Sequence, residues 1–298
     1  MLGKTVVVTG ASSGIGRATA VELGRQGARV LLVARDRERG ERALADVLRA
    51  GGTGECLVAD LSRQKDVRRL AADILDRNDR VHVLVNNAGA MHGRRMLTED
   101  GFERTFALNH LAYFLLTNLL RGALVAAAPS RVVNVASHAH FFGRIHWDDL
   151  NLARNYGPWR AYAQSKLANV LFTYELARRW EDEGVTANAV HPGTVATNFA
   201  RGPSGRVGAL LRLARPFLLS PEQGARTVLW AASAPKLDAV TGQYFYRRRA
   251  FPSSRRSRDE EAQRRLWEQS EEWTGLSTHR SAFALEGERR ATDERPWR

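Results

Sequence analysis

Thr5-Val6-Val7-Val8-Thr9 runs directly into Gly10-Ala11-Ser12-Ser13-Gly14-Ile15-Gly16, and an amphipathic stretch, Ile15–Gln26, follows at once. The β-branched run reads as a strand, and the glycines punctuate a tight turn before a helix. In that position glycines let backbone N–H groups approach a pyrophosphate at the positive end of the helix. The spacing is G-x-x-x-G-x-G rather than the commoner G-x-G-x-x-G, so the context between strand and helix carries the reading. Gly10, Ser12, Ser13, Gly14, Ile15 and Gly16 are therefore candidates for holding a dinucleotide.

Outward from this loop, strand-like runs alternate with helix-like ones. The strands are expected at Thr5–Thr9, Arg29–Val33, Glu55–Val58, Val81–Val85, Arg131–Val135, Val185–Val190 and Gln243–Tyr246. Helices are expected at Ile15–Gln26, Glu38–Ala50, Arg63–Asn78, Thr98–Ala127, Trp159–Glu183 and Asp259–Thr274. Near-continuous apolar strands alternating with helices indicate a parallel sheet covered on both faces. The fold class is thus α/β, a single-domain Rossmann-type doubly wound sheet of about seven mostly parallel strands with helices on both faces. Residues 1–276 form that domain, and the polar, arginine-rich, aperiodic stretch 277–298 reads as a disordered basic tail. Residues 200–220 break the rhythm with Gly202-Pro203-Ser204-Gly205 and then an amphipathic run.

Composition narrows the function. The 298 residues are 44% hydrophobic and 26% charged, which excludes wholesale disorder. One cysteine, Cys56, excludes an intramolecular disulfide and a cysteine-based zinc site. His138, His140 and His146 have no metal-ligand spacing, so no metal is assigned. No apolar run approaches the ~20 residues a spanning helix needs, and the first strand begins too early for a signal peptide. A soluble, cytoplasmic protein is expected. The net charge of +13 comes almost entirely from arginine, since only four of the 45 basic residues are lysine. The arginines are scattered along the chain, with local density at Arg247–Arg249 and Arg255–Arg258, which argues against nucleic acid as a partner.

Other polar residues fall at strand ends, the ligand edge of such a sheet. Asp60 follows the third strand, where it either caps the next helix or meets an adenine. Asn86-Asn87-Ala88-Gly89 follows the fourth, and Ser137 the fifth. Tyr162 and Lys166, four residues apart on a helix, share a face. A compact ammonium beside a phenol makes the phenol a better acid or base than its ordinary pKa near 10 allows. Lys166 is the only lysine between Lys65 and Lys236.

Thr9-Gly10-x-x-x-Gly14-x-Gly16, Asn86-Asn87-Ala88-Gly89, Asn109, Ser137, Tyr162-x-x-x-Lys166 and His191-Pro192-Gly193 together resemble the signature of the short-chain dehydrogenase/reductase superfamily. Within it, Phe106–Leu111, Val133–Ser137, Tyr162–Asn169 and the 25-residue gap from Ser137 to Tyr162 resemble the retinol dehydrogenase-like group. The resemblance implies an NADP(H)-dependent oxidoreductase interconverting a hydrophobic alcohol and its aldehyde or ketone. A steroid, a polyketide or another carbonyl compound is the alternative substrate, and a non-catalytic NADP-binding regulator the alternative class. By resemblance Tyr162 is the general acid and base, and Lys166 lowers its pKa and binds the nicotinamide ribose. Ser137 orients the substrate oxygen, and Asn109 holds a helix bend and a water. Asp60, Leu61, Asn87, Ala88, Gly89, Pro192, Gly193 and Val195 join the cofactor set. Phe141 joins Ser137 and Tyr162 as substrate-binding, with Phe142, Trp147 and Trp159 read as an apolar wall of the same pocket. The helices over Thr98–Ala127 and Trp159–Glu183 imply a homodimer or tetramer. The stretch Gly205–Ser220 is a surface helix or a lid, and its basic face also suits peripheral membrane contact.

The choice of phosphate is read from the end of the second strand. An NAD enzyme places an acidic residue there, about 20 residues beyond the glycine loop. Here the position is Ala34, eighteen residues after Gly16, followed by Arg35 and Asp36. Arg35 can pair with a 2′-phosphate, and Asp36 is expected to cap the helix beginning near Glu38.

Overall fold

A computed structural model describes residues 1–195 and 219–276. Calls on 196–218 and 277–298, which include the lid from 200 to 218 and the basic tail, lie outside the described residues. The strands are β1 (Thr5–Thr9), β2 (Arg29–Ala34), β3 (Thr53–Val58), β4 (Val83–Asn86), β5 (Ser130–Val135), β6 (Val185–His191), β7 (Gln243–Tyr246) and β8 (Arg249–Ala250). They form one sheet in the order β3-β2-β1-β4-β5-β6-β7-β8. The seven expected strands are all parallel, and β8 adds a short antiparallel edge beside β7.

Strand alternation divides the core into two layers. Val7, Leu31 and Leu84 point to one face, under α3 (Gln64–Leu75), α5 (Ala112–Leu119), α7 (Pro158–Arg179) and α9 (Glu260–Trp273). Val6, Val8, Val30 and Leu32 point to the other, under α1 (Gly14–Arg25), α2 (Arg37–Arg49) and α8 (Pro221–Ser233). The strand order reverses between β1 and β4, which opens a crevice at their carboxyl ends. Among the described residues no helix is long and apolar enough to cross a membrane.

Local side-chain chemistry sets the helix ends. Asp36 caps α2 as expected, its carboxylate accepting the Arg39 N–H at 2.9 Å. Asp60 does not cap α3. Its Oδ1 instead accepts the N–H and hydroxyl of Ser62, at 3.0 and 2.7 Å, while Asp100 accepts the Gln64 N–H. The single helix expected over Thr98–Ala127 is broken. A turn closed from the Gly101 N–H to the Thr98 carbonyl comes first, and buried Glu103 then accepts the N–H groups of Thr105 and Phe106 to start α4 (Arg104–Phe106). One π-helical turn, Ala107–Leu111, follows, then α5 and α6 (Arg121–Ala126).

Candidate active site

The glycine loop is packed so closely that side chains are excluded. A Cβ on Gly16 would stand 2.4 Å from Asn87 Nδ2 and 2.5 Å from the Gly10 carbonyl oxygen, and one on Gly10 would stand 2.8 Å from Ala88 Cα. Gly10 also has a φ of +65°, in the region where a Cβ clashes. Thr9 and Asn87 staple this loop to the end of β4. The Thr9 hydroxyl donates to Val85 and accepts the N–H groups of Asn87 and Ala88, and the Asn87 amide donates to the Thr9 carbonyl at 2.8 Å. Ser13, at the start of α1, makes no side-chain cap. The first turn of α1 therefore offers N–H groups beside a backbone surface bare of Cβ atoms, which fits a dinucleotide pyrophosphate. Ser12 and Ile15 lie in the same loop, with Ile15 next to Gly224 of α8 and Val195.

At the ends of β2 and β3, Arg35 is exposed. Burial pushes the Asp60 carboxyl up, but the Ser62 hydrogen bonds and the Arg104 and Arg35 guanidinia outweigh it and hold it below the usual carboxylate range. Leu61 buries its side chain in the core. Beyond β6, Gly193 has a φ of +92°, and Val195 bridges to Leu219, whose N–H donates to the Thr194 carbonyl. Pro192 lies between His191 and that turn.

Asn109, Ser137, Tyr162 and Lys166 converge at the ends of β4 and β5. Asn109 sits in the π-helical turn, where the extra residue per turn swings its side chain toward Ala90. Its Oδ1 accepts the Ala90 N–H at 2.9 Å, and its Nδ2 donates to the Ala90 carbonyl and to the Ser165 hydroxyl. Gly89 passes so near that a Cβ there would lie 3.3 Å from Asn109 Oδ1 and 3.6 Å from Lys166 Nζ. The Lys166 ammonium donates to the Val135 carbonyl at 2.7 Å. It also lies 5.7 Å from the ring centre of Tyr113 and 5.8 Å from that of Tyr162. Burial pushes Lys166 down to about 7. Burial also pushes the Tyr162 phenol up to about 12, against a hydrogen bond with Ser137 that favours the phenolate. The phenol of the protein alone is thus raised rather than lowered, because the ammonium faces its ring and desolvation dominates. Ser137 Oγ also accepts the Ala139 N–H, starting the short 3₁₀ turn His138–Phe142.

The aromatic residues expected as a pocket wall divide. Phe141, Phe142 and Trp159 are exposed, and Trp159 lies 6.1 Å from Tyr162. Trp147 instead packs with Phe106, Ile145 and Leu171 in the core, under the Arg265 guanidinium. Among the described residues, no three His, Cys, Asp or Glu side chains are grouped to hold a metal.

Sequence reasoning missed Tyr113, the stapling role of Thr9 and the pairing of His138 with His191, whose rings stack with centres 3.8 Å apart. Burial pushes His191 down to about 3 and His140 to about 4, so both stay neutral. It also missed a buried polar ladder behind the site. Asn86 donates to Thr117 and Asn134, and Asn134 donates to Thr173. Two asparagines inside apolar strands were the available signal.

Comparison with known proteins agrees with this geometry. The family model of the short chain dehydrogenases matches residues 4–204. The chain belongs to that family, an oxidoreductase family of Rossmann-like fold. Its similarity runs to the retinol dehydrogenases. It is 43% identical to human retinol dehydrogenase 14 over 93% of this chain and 88% of that one. It is 45% identical to human retinol dehydrogenase 13 over 92% and 85%. Among solved structures, an uncharacterized protein from Mycobacterium paratuberculosis aligns with a TM-score of 0.75 at 39% identity, covering 92% of this chain and 94% of that one. An active-site complex of Pseudomonas aeruginosa RhlG with NADP aligns with a TM-score of 0.67 at 27% identity, covering 82% and 94%. Interconversion of an alcohol and a carbonyl is the activity these similarities support.

Proposed function

We propose that the protein is an NADP(H)-dependent reductase of hydrophobic aldehydes or ketones, with Tyr162 as the proton donor. The observation that carries the reading is the convergence of Ser137, Tyr162, Lys166 and Asn109 beside the glycine cradle. Phe141, Phe142 and Trp159 add an apolar approach to it. A dinucleotide held by the glycine cradle would supply the hydride, while the chain's own residues position the partners and deliver the proton.

The Ser137 hydroxyl holds the substrate oxygen against the Tyr162 O–H. A phenol at about 12 carries its proton at neutral pH, so Tyr162 can serve as the general acid of carbonyl reduction. As the alkoxide forms it takes the Tyr162 proton. The Lys166 ammonium, next to the same ring, stabilises the phenolate left behind. Asn109 fixes the bend that brings α5 and Gly89 against Lys166.

Arg35 carries the preference for NADP(H). It is exposed at the end of β2, the residue before it is Ala34 rather than an acid, and Asp36 is committed to the α2 cap. The test is a panel of medium-chain aldehydes, retinoids, steroids and quinones, each assayed with NADPH and NADH. Turnover of apolar carbonyl compounds with NADPH in preference to NADH is expected. Equal or better efficiency with NADH would refute the cofactor assignment, and no turnover of any of them would refute the substrate class.

A further inference from the structure

Arginine–carboxylate pairs run along the helices, among them Arg17–Asp46, Arg42–Glu38, Arg69–Asp73 and Arg179–Glu175. One edge of the sheet is different. Arg247, Arg248 and Arg249 at the β7–β8 turn, and Arg255, Arg256 and Arg258 in the 3₁₀ turn Arg255–Arg258, are all exposed. Among the described residues none of them meets a carboxylate. The neighbouring acid, Asp259, is engaged by the N–H groups of Glu261 and Ala262 as the cap of α9. At the hairpin tip Arg247 and Arg248 have φ of 49° and 60°. Such turns favour Asn and Gly, because a Cβ is strained there. Two guanidinium groups are kept at the tip despite that strain.

The charges flank the approach to Tyr162. The Arg247 guanidinium lies 5.1 Å over the Tyr246 ring, and Arg256 donates to the Gly143 carbonyl at 3.1 Å, just past Phe142. Phe251 is 41% exposed, Trp159 53% and Phe142 73%. The Phe251 ring is 5.5 Å from His138, the neighbour of Ser137, and Phe142 is 6.3 Å from Trp159. Guanidinium groups without a carboxylate partner among the described residues thus border exposed aromatic rings at the mouth of the site.

We propose that this face docks on a bilayer carrying anionic headgroups. Guanidinium groups pair with lipid phosphates while aromatic rings settle at headgroup depth. Arginines and rings also suit single-stranded nucleic acid. The placement favours lipid, because apolar alcohols and carbonyl compounds partition into a bilayer, and docking sets the mouth against that reservoir. The choice of lipid therefore rests on the functional reading above.

The test is flotation of the purified full chain with vesicles of phosphatidylcholine containing one-third phosphatidylglycerol, against phosphatidylcholine alone. The protein is expected to float with the anionic vesicles at low salt and to be released at high salt. The triple variant Arg247→Glu, Arg248→Glu, Arg249→Glu is expected to bind them at least on the order of a hundredfold more weakly, about fivefold for each arginine lost with the added repulsion of each glutamate on top. It should keep the melting temperature of the native chain. Equal flotation of native and triple variant, equal flotation with neutral vesicles, or none at all would overturn the proposal. So would arginine-dependent binding of a labelled RNA without flotation, which would assign the face to nucleic acid. Flotation needs no turnover, so failure of the enzymatic reading and failure of docking are read separately.

Discussion

Lys166 is buried and Tyr162 half-buried, and desolvation drives both toward their neutral forms. The two shifts have opposite consequences for reduction. A phenol at about 12 stays protonated across the working range, while an amine at about 7 loses its charge within it. On the proposed mechanism, reduction needs the Tyr162 proton and the Lys166 cation together. The kcat/KM for carbonyl reduction is therefore expected to be flat below pH 7 and to fall about tenfold per unit above it. A limb that appeared only near pH 10 would place Lys166 in water and contradict its burial. At the far end of the crevice, the proposed NADP(H) preference has Arg35 pair with the 2′-phosphate, and Arg35→Asp would replace that partner with a repelling charge. A charge-assisted hydrogen bond is worth about 1.5–3 kcal/mol. The kcat/KM with NADPH should therefore fall roughly 10- to 100-fold while that with NADH is held or improved, as steady-state kinetics would show.

The elements differ in how much of them the sequence revealed. Strands β1 and β7 match their expected bounds because apolar runs bounded by glycine and turn residues leave little choice. Helix α8 escaped, although Ser220 and Gln223 form a reciprocal capping box with Pro221 behind it, because the preceding amphipathic run masked the boundary. The break at Glu103 was equally hidden, because the local cap that Glu103 gives Thr105 and Phe106 lies inside an amphipathic run that reads as one helix. The bend at Asn109 was expected from the resemblance alone, since period and propensity do not encode its contact with the Ala90 backbone. Ser137, Tyr162 and Lys166 were legible because each lies just past a strand or one helical turn from another, whereas Asn109 came from the resemblance alone. Tyr113 was not legible, since a tyrosine on an apolar helix reads as ordinary core. The 3₁₀ turn after Ser137 meets α7 through Gly143, where a Cβ would lie 2.4 Å from the Ala163 carbonyl oxygen and 2.8 Å from Leu167 Cβ. Gly143→Ala is expected to cost about 1–3 kcal/mol by overpacking. It should also lower kcat by moving Ser137 relative to Tyr162, which thermal melts and turnover would show together. A variant with native stability and rate would mean that this contact does not position the serine.

Across the whole molecule, α9 lies over α5 and α7. Trp267 is buried with its ring 5.0 Å from Phe114 of α5 and 5.8 Å from Phe172 of α7. Ser270 meets the His110 ring at 3.1 Å, and Arg178 donates to Gln263. These are the helices through which a homodimer or tetramer was expected from the resemblance. With α9 seated on them, a monomer of 33.2 kDa is the expected result of light scattering, and a mass twice that would place pairing on another face. The sheet, the glycine cradle and the polar ladder all serve to hold one phenol beside one ammonium. The most direct measurement is therefore the NADPH-dependent turnover of Tyr162→Phe on the best substrate of the panel, with NADPH affinity measured in parallel. The account predicts that kcat falls about 10²- to 10⁴-fold while the affinity is retained. Turnover equal to that of the native chain would contradict it.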